Sequence, residues 1–132
     1  MLMMLLSSAS FAQHSTAYSK DKKELYKVNV ENVNGCKKAT SRKCYDAKTR
    51  EIKWEWNKRF STDANQTCDF SAYVITRKKY KKGKLSELTQ HFAGSEQSTE
   101  EPCGNWKYYT PNGKLLASKN YGKCDINKFR KN

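Results

Sequence analysis

Along most of this chain apolar and polar positions alternate with a period close to two, and turn-forming residues interrupt the alternation at intervals. The clearest stretch is GNWKYYTPNGKLLASKNY, from Gly104 to Tyr121. Trp106, Tyr108 and Tyr109 precede the turn residues Thr110 to Gly113, and Leu115, Ala117 and Tyr121 follow them with Lys, Ser and Asn between. Pro111 presets φ near the value a turn needs, while Asn112 and Gly113 tolerate positive φ. The segment therefore predicts a strand, a type I turn with a glycine bulge, and a second strand.

The unit recurs. A shift of 30 positions lays Gly83, Lys84 and Leu85 on Gly113, Lys114 and Leu115, and a one-residue gap brings Tyr80 onto Tyr109. A degenerate third copy starts at Tyr45-Asp46, turns without a glycine, and enters Ile52, Trp54 and Trp56, which alternate with Glu51, Lys53 and Glu55. Hairpins at such a spacing predict a quasi-one-dimensional β array in which each hairpin buries its face against its neighbours. Upstream, Asp21 to Asn34 has a period close to two that favours a strand ending at Asn34-Gly35, with a helix as the alternative. Ala72 to Thr76 reads as a further strand, Ser61 to Thr67 as a loop, and Ala93 to Asn105 as an irregular acidic connector.

The aromatic-x-x-x-Asn-Gly-Lys-Leu pattern with a leading Gly-x-Trp resembles the bacterial variant of the MORN repeat. Repeats resembling it lie near residues 45–60, 76–92 and 104–121. The resemblance implies an all-β fold, an antiparallel meander of stacked hairpins in a single-layer or thin two-layer sheet, and no catalytic residue. It also implies a binding or scaffolding role, with proteins and phospholipid head groups as the ligand classes.

The chain has 132 residues, enough for one domain. Its hydrophobic fraction is 36%, with three Trp, eight Tyr and five Phe spread along it, which points to a thin aromatic core and away from disorder. Residues 1–12, MLMMLLSSASFA, are uncharged and end in small residues around Phe11, the pattern of a secretory signal; a buried strand is the other reading. Residues 13–132 then form a single domain, secreted or periplasmic, with no transmembrane span and expected to be monomeric.

Five cysteines, Cys36, Cys44, Cys68, Cys103 and Cys124, fit an oxidising compartment, and their spacing does not suggest a zinc site. Cys103 precedes Trp106 by three residues and Cys124 follows Tyr121 by three, so a bridge between them is expected to clasp the last hairpin. Cys36 with Cys44 would make a local loop and leave Cys68 unpaired.

The formal charge of +13 calls for an anionic partner or for solubility alone. Lys78, Lys79, Lys81, Lys82 and Lys84 cluster around the turn at Gly83, with Tyr80 inside the run. Together with Trp106 and Tyr108 they form the expected ligand-binding set. Such a mixture suits a protein, anionic lipid or acidic glycan, and single-stranded nucleic acid as the alternative, including a toxin or antitoxin component. The scarcity of arginine weakens specific phosphate recognition.

Catalytic signals are absent. His14 lies in a polar stretch, His91 sits between Gln90 and Phe92 on an expected strand, and no nucleophile motif or phosphate-cradling glycine loop occurs. No enzyme activity, cofactor or metal is expected, and a secreted ribonuclease is the remaining catalytic option.

Overall fold

A computed structural model describes residues 13–62, 67, 71–94 and 99–126. The expected signal segment, residues 1–12, lies outside them. The described chain is all-β, with eight strands and no helix: β1 (Gln13–Tyr18), β2 (Glu24–Val33), β3 (Cys36–Asp46), β4 (Ile52–Phe60), β5 (Tyr73–Lys81), β6 (Lys84–Ala93), β7 (Glu101–Tyr109) and β8 (Leu115–Asn120). They form one antiparallel sheet in sequence order, β1 to β8, so every connection is a hairpin and the sheet is open at both edges.

The repeat has a physical basis in the register. In each of four hairpins a tyrosine pairs with an aliphatic residue close to the turn: Tyr18 with Leu25, Tyr45 with Ile52 and Tyr109 with Leu115 on the last rung, and Tyr80 with Leu85 one rung before the closing Lys81–Lys84 pair. The residue after the tyrosine organises three of these turns. Ser19 Oγ accepts from the backbone N–H of Glu24, Asp46 Oδ1 accepts from those of Lys48 and Thr49, and Thr110 Oγ1 accepts from that of Lys114. Gly113 N–H donates to the Thr110 carbonyl at a φ of +88°, the positive φ that the turn demands. Arg50, at φ +67°, takes the corresponding strain in the glycine-free turn between β3 and β4.

Three of the four hairpins also carry a bulge at one equivalent place. The residue after the paired aliphatic is left without a cross-strand partner at Lys53, Ser86 and Leu116. Each bulge bends its strand and adds right-handed twist.

Burial concentrates at the end of the sheet away from these turns. Val74, Phe92 and Cys103 pack with Ala72, Cys124 and Ile126, so the segment after β8 folds back over one face. Ile75 and Ala93, which point to the other face, are buried as well. Cys103 and Cys124 form the expected disulfide, at a Cα separation of 5.0 Å.

Two expectations are corrected, and a third is met. Cys36 does not pair with Cys44: Cys44 is a buried free thiol and Cys36 is bonded elsewhere, to a partner outside the described residues. The extended strand explains this, because Cys44 lies near the turn end of β3, on one rung with Tyr26 and Trp54, while Cys36 begins β3 at its far end. The acidic connector is shorter than its composition suggested, since β7 already begins at Glu101. Pro102 is tolerated in β7 because β8 reaches only as far as Asn105, leaving the outer side of β7 at Pro102 without a β8 partner. The segment before Asn34-Gly35 is β2 and not the alternative helix; both turn residues have positive φ, +50° and +98°.

Candidate functional site: a groove across three turns

The turns ending at Ile52, Lys84 and Leu115 lie side by side, and against them one face of the sheet forms a groove of about 810 Å³. Its floor is one continuous rung: Trp54 pairs with Lys79, Lys79 with Glu87, and Glu87 with Tyr108. Three strand spacings separate the two aromatics, a span of about 14 Å. Between them Lys79 Nζ and Glu87 Oε2 form an ion pair at 3.5 Å. The bulged residues Lys53, Ser86 and Leu116 all line the groove, so the irregularity that twists the sheet also re-aims one side chain per hairpin into it. Ser86 Oγ donates to the Lys79 carbonyl at 3.0 Å, fixing the middle bulge.

The wall beyond Trp54 is rigid and charged. Tyr26 and Trp54 rings meet at 6.1 Å, and the Arg42 guanidinium lies over both, 4.5 Å and 5.9 Å from their centroids. Arg42 Nε is buried without a hydrogen-bond partner, so the ring faces supply its local compensation. Beside them Glu24 accepts from Tyr26 Oη, Cys44 Sγ and Lys53 Nζ, at 2.9, 3.4 and 2.7 Å. The Lys53 hydrogen bond, then those of Tyr26 and Cys44, hold the Glu24 carboxyl below its usual range. Burial and the Glu24 hydrogen bond push the Cys44 thiol up to about 11, so it stays protonated at neutral pH.

The residues singled out in the sequence divide between locations. Lys79, Tyr80, Lys81, Lys82 and Tyr108 border the groove. Tyr80 turns its hydroxyl to Glu55 on the opposite face, and burial together with that hydrogen bond pushes its pKa up to about 12. Lys78 also projects to the opposite face, in a rung that runs Lys27, Lys43, Glu55, Lys78, Leu88, Lys107. Lys84 pairs with Lys81 at the hairpin tip and does not line the groove. Trp106 is farther along β7, its indole N–H donating to the Gln90 and Cys103 carbonyls while its ring contacts His91 and Tyr121. It holds the clasped end of the molecule.

Sequence reasoning missed Trp54, Lys53, Glu87 and Leu116 as groove residues. Trp54 alternates with charged neighbours and so marks a half-exposed strand position; the bulges that redirect Lys53 and Leu116 leave no comparable mark.

A second cluster of titratable groups lies near Trp106. Arg77 donates to Glu100 at 2.8 Å and its other terminal nitrogen is 3.2 Å from His91 Nδ1; Tyr73 Oη donates to Glu100 at 2.8 Å. Burial would raise the Glu100 carboxyl, but the Arg77 and Tyr73 hydrogen bonds outweigh it and leave the group below its usual value. Burial first, and Arg77 second, depress His91. The cluster fastens the connector before β7 to β5. Among the described residues no group of His, Cys, Asp and Glu is arranged to hold a metal, and no helix is long and apolar enough to cross a membrane.

Compared with known proteins, the chain matches no family model, no curated protein sequence and no solved structure, and the groove geometry is what its functional reading rests on.

Proposed function

We propose that this chain is an exported, non-catalytic binding module of MORN-like hairpins whose groove takes a segment of a partner protein. The observation that carries this reading is the groove floor: Trp54 and Tyr108 stand at its two ends with the Lys79–Glu87 pair between. Aromatic anchors in a concavity, flanked by both signs of charge, are the usual chemistry of a protein-binding hot spot. Asp46, Glu51 and Glu87 line the groove beside Lys53, Lys79, Lys81 and Lys82, a mixture of both signs that suits a polypeptide better than a uniformly anionic phosphate chain. His91, the candidate acid or base, has its ring held against Trp106 and beside Arg77, in keeping with a role in binding the fold together. Two cysteines joined in a disulfide agree with export to an oxidising compartment.

A second reading draws on the opposite face. Lys27, Lys43, Lys78 and Lys107 share a rung interrupted only by Glu55 and Leu88, spread over five strand spacings or about 24 Å. A flat basic row of this kind suits an anionic envelope surface.

Selection of peptides on the oxidised protein, followed by affinity measurement with Trp54→Ala and Tyr108→Ala, tests the groove. Each substitution is expected to weaken a selected peptide by about tenfold or more, the range of an interface anchor. Peptides unaffected by both substitutions would remove the groove as the site. Binding to anionic vesicles and to single-stranded oligonucleotide, with and without Lys43→Glu and Lys78→Glu, separates the surface reading. Attraction to either polyanion through the flat row is lost on charge reversal and falls steeply with salt.

A further inference from the structure

We propose that this protein self-associates head to tail, the free edge of β8 in one molecule pairing with the free edge of β1 in the next. This inference is independent of the groove's occupant.

Among the described residues the sheet ends openly on both sides: β1 pairs only with β2, and β8 only with β7. Every residue of both edge strands is exposed. An open edge presents a row of unpaired backbone donors and acceptors, and proteins that remain monomeric guard it with charge, proline or a covering segment. Here the guards are inverted. β1, QHSTAY, has no Lys, Arg, Asp, Glu or Pro, and β8, LLASKN, has Lys119 alone. Each of the six inner strands carries at least two charged residues. In a chain with 26 Lys and Arg, charge has been kept off the two strands where monomeric solubility would call for it.

Apolar exposure points to the same place. Among the described residues the exposed large hydrophobic ones are Tyr18, Leu115 and Leu116, with relative exposures of 54%, 56% and 70%, and all three lie on the edge strands at the turn end.

The register then selects the partner. Within hairpins the turn-end rung of tyrosine and aliphatic residue joins Tyr18 to Leu25, Tyr45 to Ile52, Tyr80 to Leu85 and Tyr109 to Leu115. Between the first two hairpins the same level is continued by direct pairing of Leu25 with Tyr45. The series thus opens on a tyrosine at one edge and closes on a leucine at the other. Addition of the next molecule's β1 to β8 along the groove-side rung places Ala17 beside Ala117 and brings Tyr18 against the turn-end leucines Leu116 and Leu115. With eight strands in strict antiparallel order, β8 runs opposite to β1, so the added strand keeps the alternation. Both strands are six residues long. On the groove side the continuous rung ends in Ala17 at one edge and Ala117 at the other, small residues that admit close approach. The monomer expected from the sequence gives way to a ribbon, because a heterologous contact of this kind leaves a free edge at each end.

Sedimentation of the oxidised protein over a range of concentrations is expected to show species at whole multiples of the monomer mass. Ser15→Lys with Ala17→Lys blocks β1; Leu115→Lys with Leu116→Lys blocks β8. Each variant alone is expected to be monomeric at every concentration, and their equimolar mixture to form a dimer and nothing larger, through the one intact edge of each. A wild-type protein that stays monomeric throughout overturns the proposal, as does a mixture that stays monomeric. Self-association of the β1 variant alone means a twofold β8 pair and overturns it too. Where a lysine variant fails the circular-dichroism check for folding, Tyr18→Cys and Leu115→Cys made in separate chains replace it. Seven strand spacings, about 33 Å, separate the two positions within one molecule, beyond any disulfide. A mixed disulfide dimer appearing faster than either homodimer is expected, and equal rates overturn the proposal.

Discussion

Gly104→Ala should destabilise the protein more than the same change at Gly113, and the difference measures how tightly the clasped end is packed. Gly104 holds a φ of +75° within β7, where its N–H donates to the Gly122 carbonyl and its carbonyl accepts from Tyr121. Gly113 has a similar φ of +88° at the tip of the last hairpin. An alanine at either site adopts a left-handed backbone at a cost of about 1–2 kcal/mol. A Cβ at Gly113 would meet nothing within 4 Å. At Gly104 it would overlap Gln90 Oε1 and lie 3.2 Å from Cys124 Sγ, a sulfur fixed by its disulfide. Gln90 is the group able to move, and moving its amide breaks the 3.0 Å bond from its Nε2 to Thr76 Oγ1. That loss adds about 1 kcal/mol. Urea unfolding under oxidising conditions should therefore give about 1–2 kcal/mol for Gly113→Ala and about 2–3 kcal/mol for Gly104→Ala. In a Gln90→Ala background the Gly104 substitution should cost about 1 kcal/mol less than in the wild type, a coupling measured by the double-mutant cycle. Equal costs at the two glycines, or no coupling to Gln90, would refute the packing described for this end.

Three other outcomes are expected. Replacing Cys103 and Cys124 together by serine should lower stability by about 3 kcal/mol on the loop-entropy model, given their separation of 21 residues, and a comparison of thermal melts of the oxidised proteins reads it. Cys44, 0% exposed and with its thiol pKa pushed up to about 11, should resist alkylation in the native protein and react fully after unfolding, as followed by intact mass. His91 is depressed from its ordinary value of 6.5, so the unfolded chain binds the proton more tightly. Its contribution to stability is complete above that value and is lost as pH falls through the folded-state pKa, and His91→Gln should flatten this part of the urea-midpoint profile.

The hairpin architecture was legible because its signals are local. Asn112-Gly113 and Asn34-Gly35 announce reversals through residues that accept positive φ, and alternation in GNWKYYTPNGKLLASKNY assigns alternate side chains to opposite faces of a strand. The Cys103–Cys124 bridge was legible for the same reason, as the two cysteines flank one hairpin at matched distances. The first hairpin, from Tyr18 to Leu25, went unread because Lys22, at φ +59°, fills the turn position that glycine fills elsewhere. Cys44 was mispaired because the local loop expected between it and Cys36 is one extended strand, which holds the two cysteines far apart along its length.

What only the tertiary structure decided is which side chains of the basic run share a surface. Lys78 and Lys79 are neighbours in sequence and point to opposite faces, while Trp54, Lys79, Glu87 and Tyr108, drawn from four strands, share one rung. Sequence by itself determined that the chain would fold as antiparallel hairpins, because turn chemistry and a period of two act between near neighbours. Register and bulges are set by how one hairpin lies against the next, and the placement of Lys53, Ser86 and Leu116 in a common groove therefore belongs to the assembled sheet.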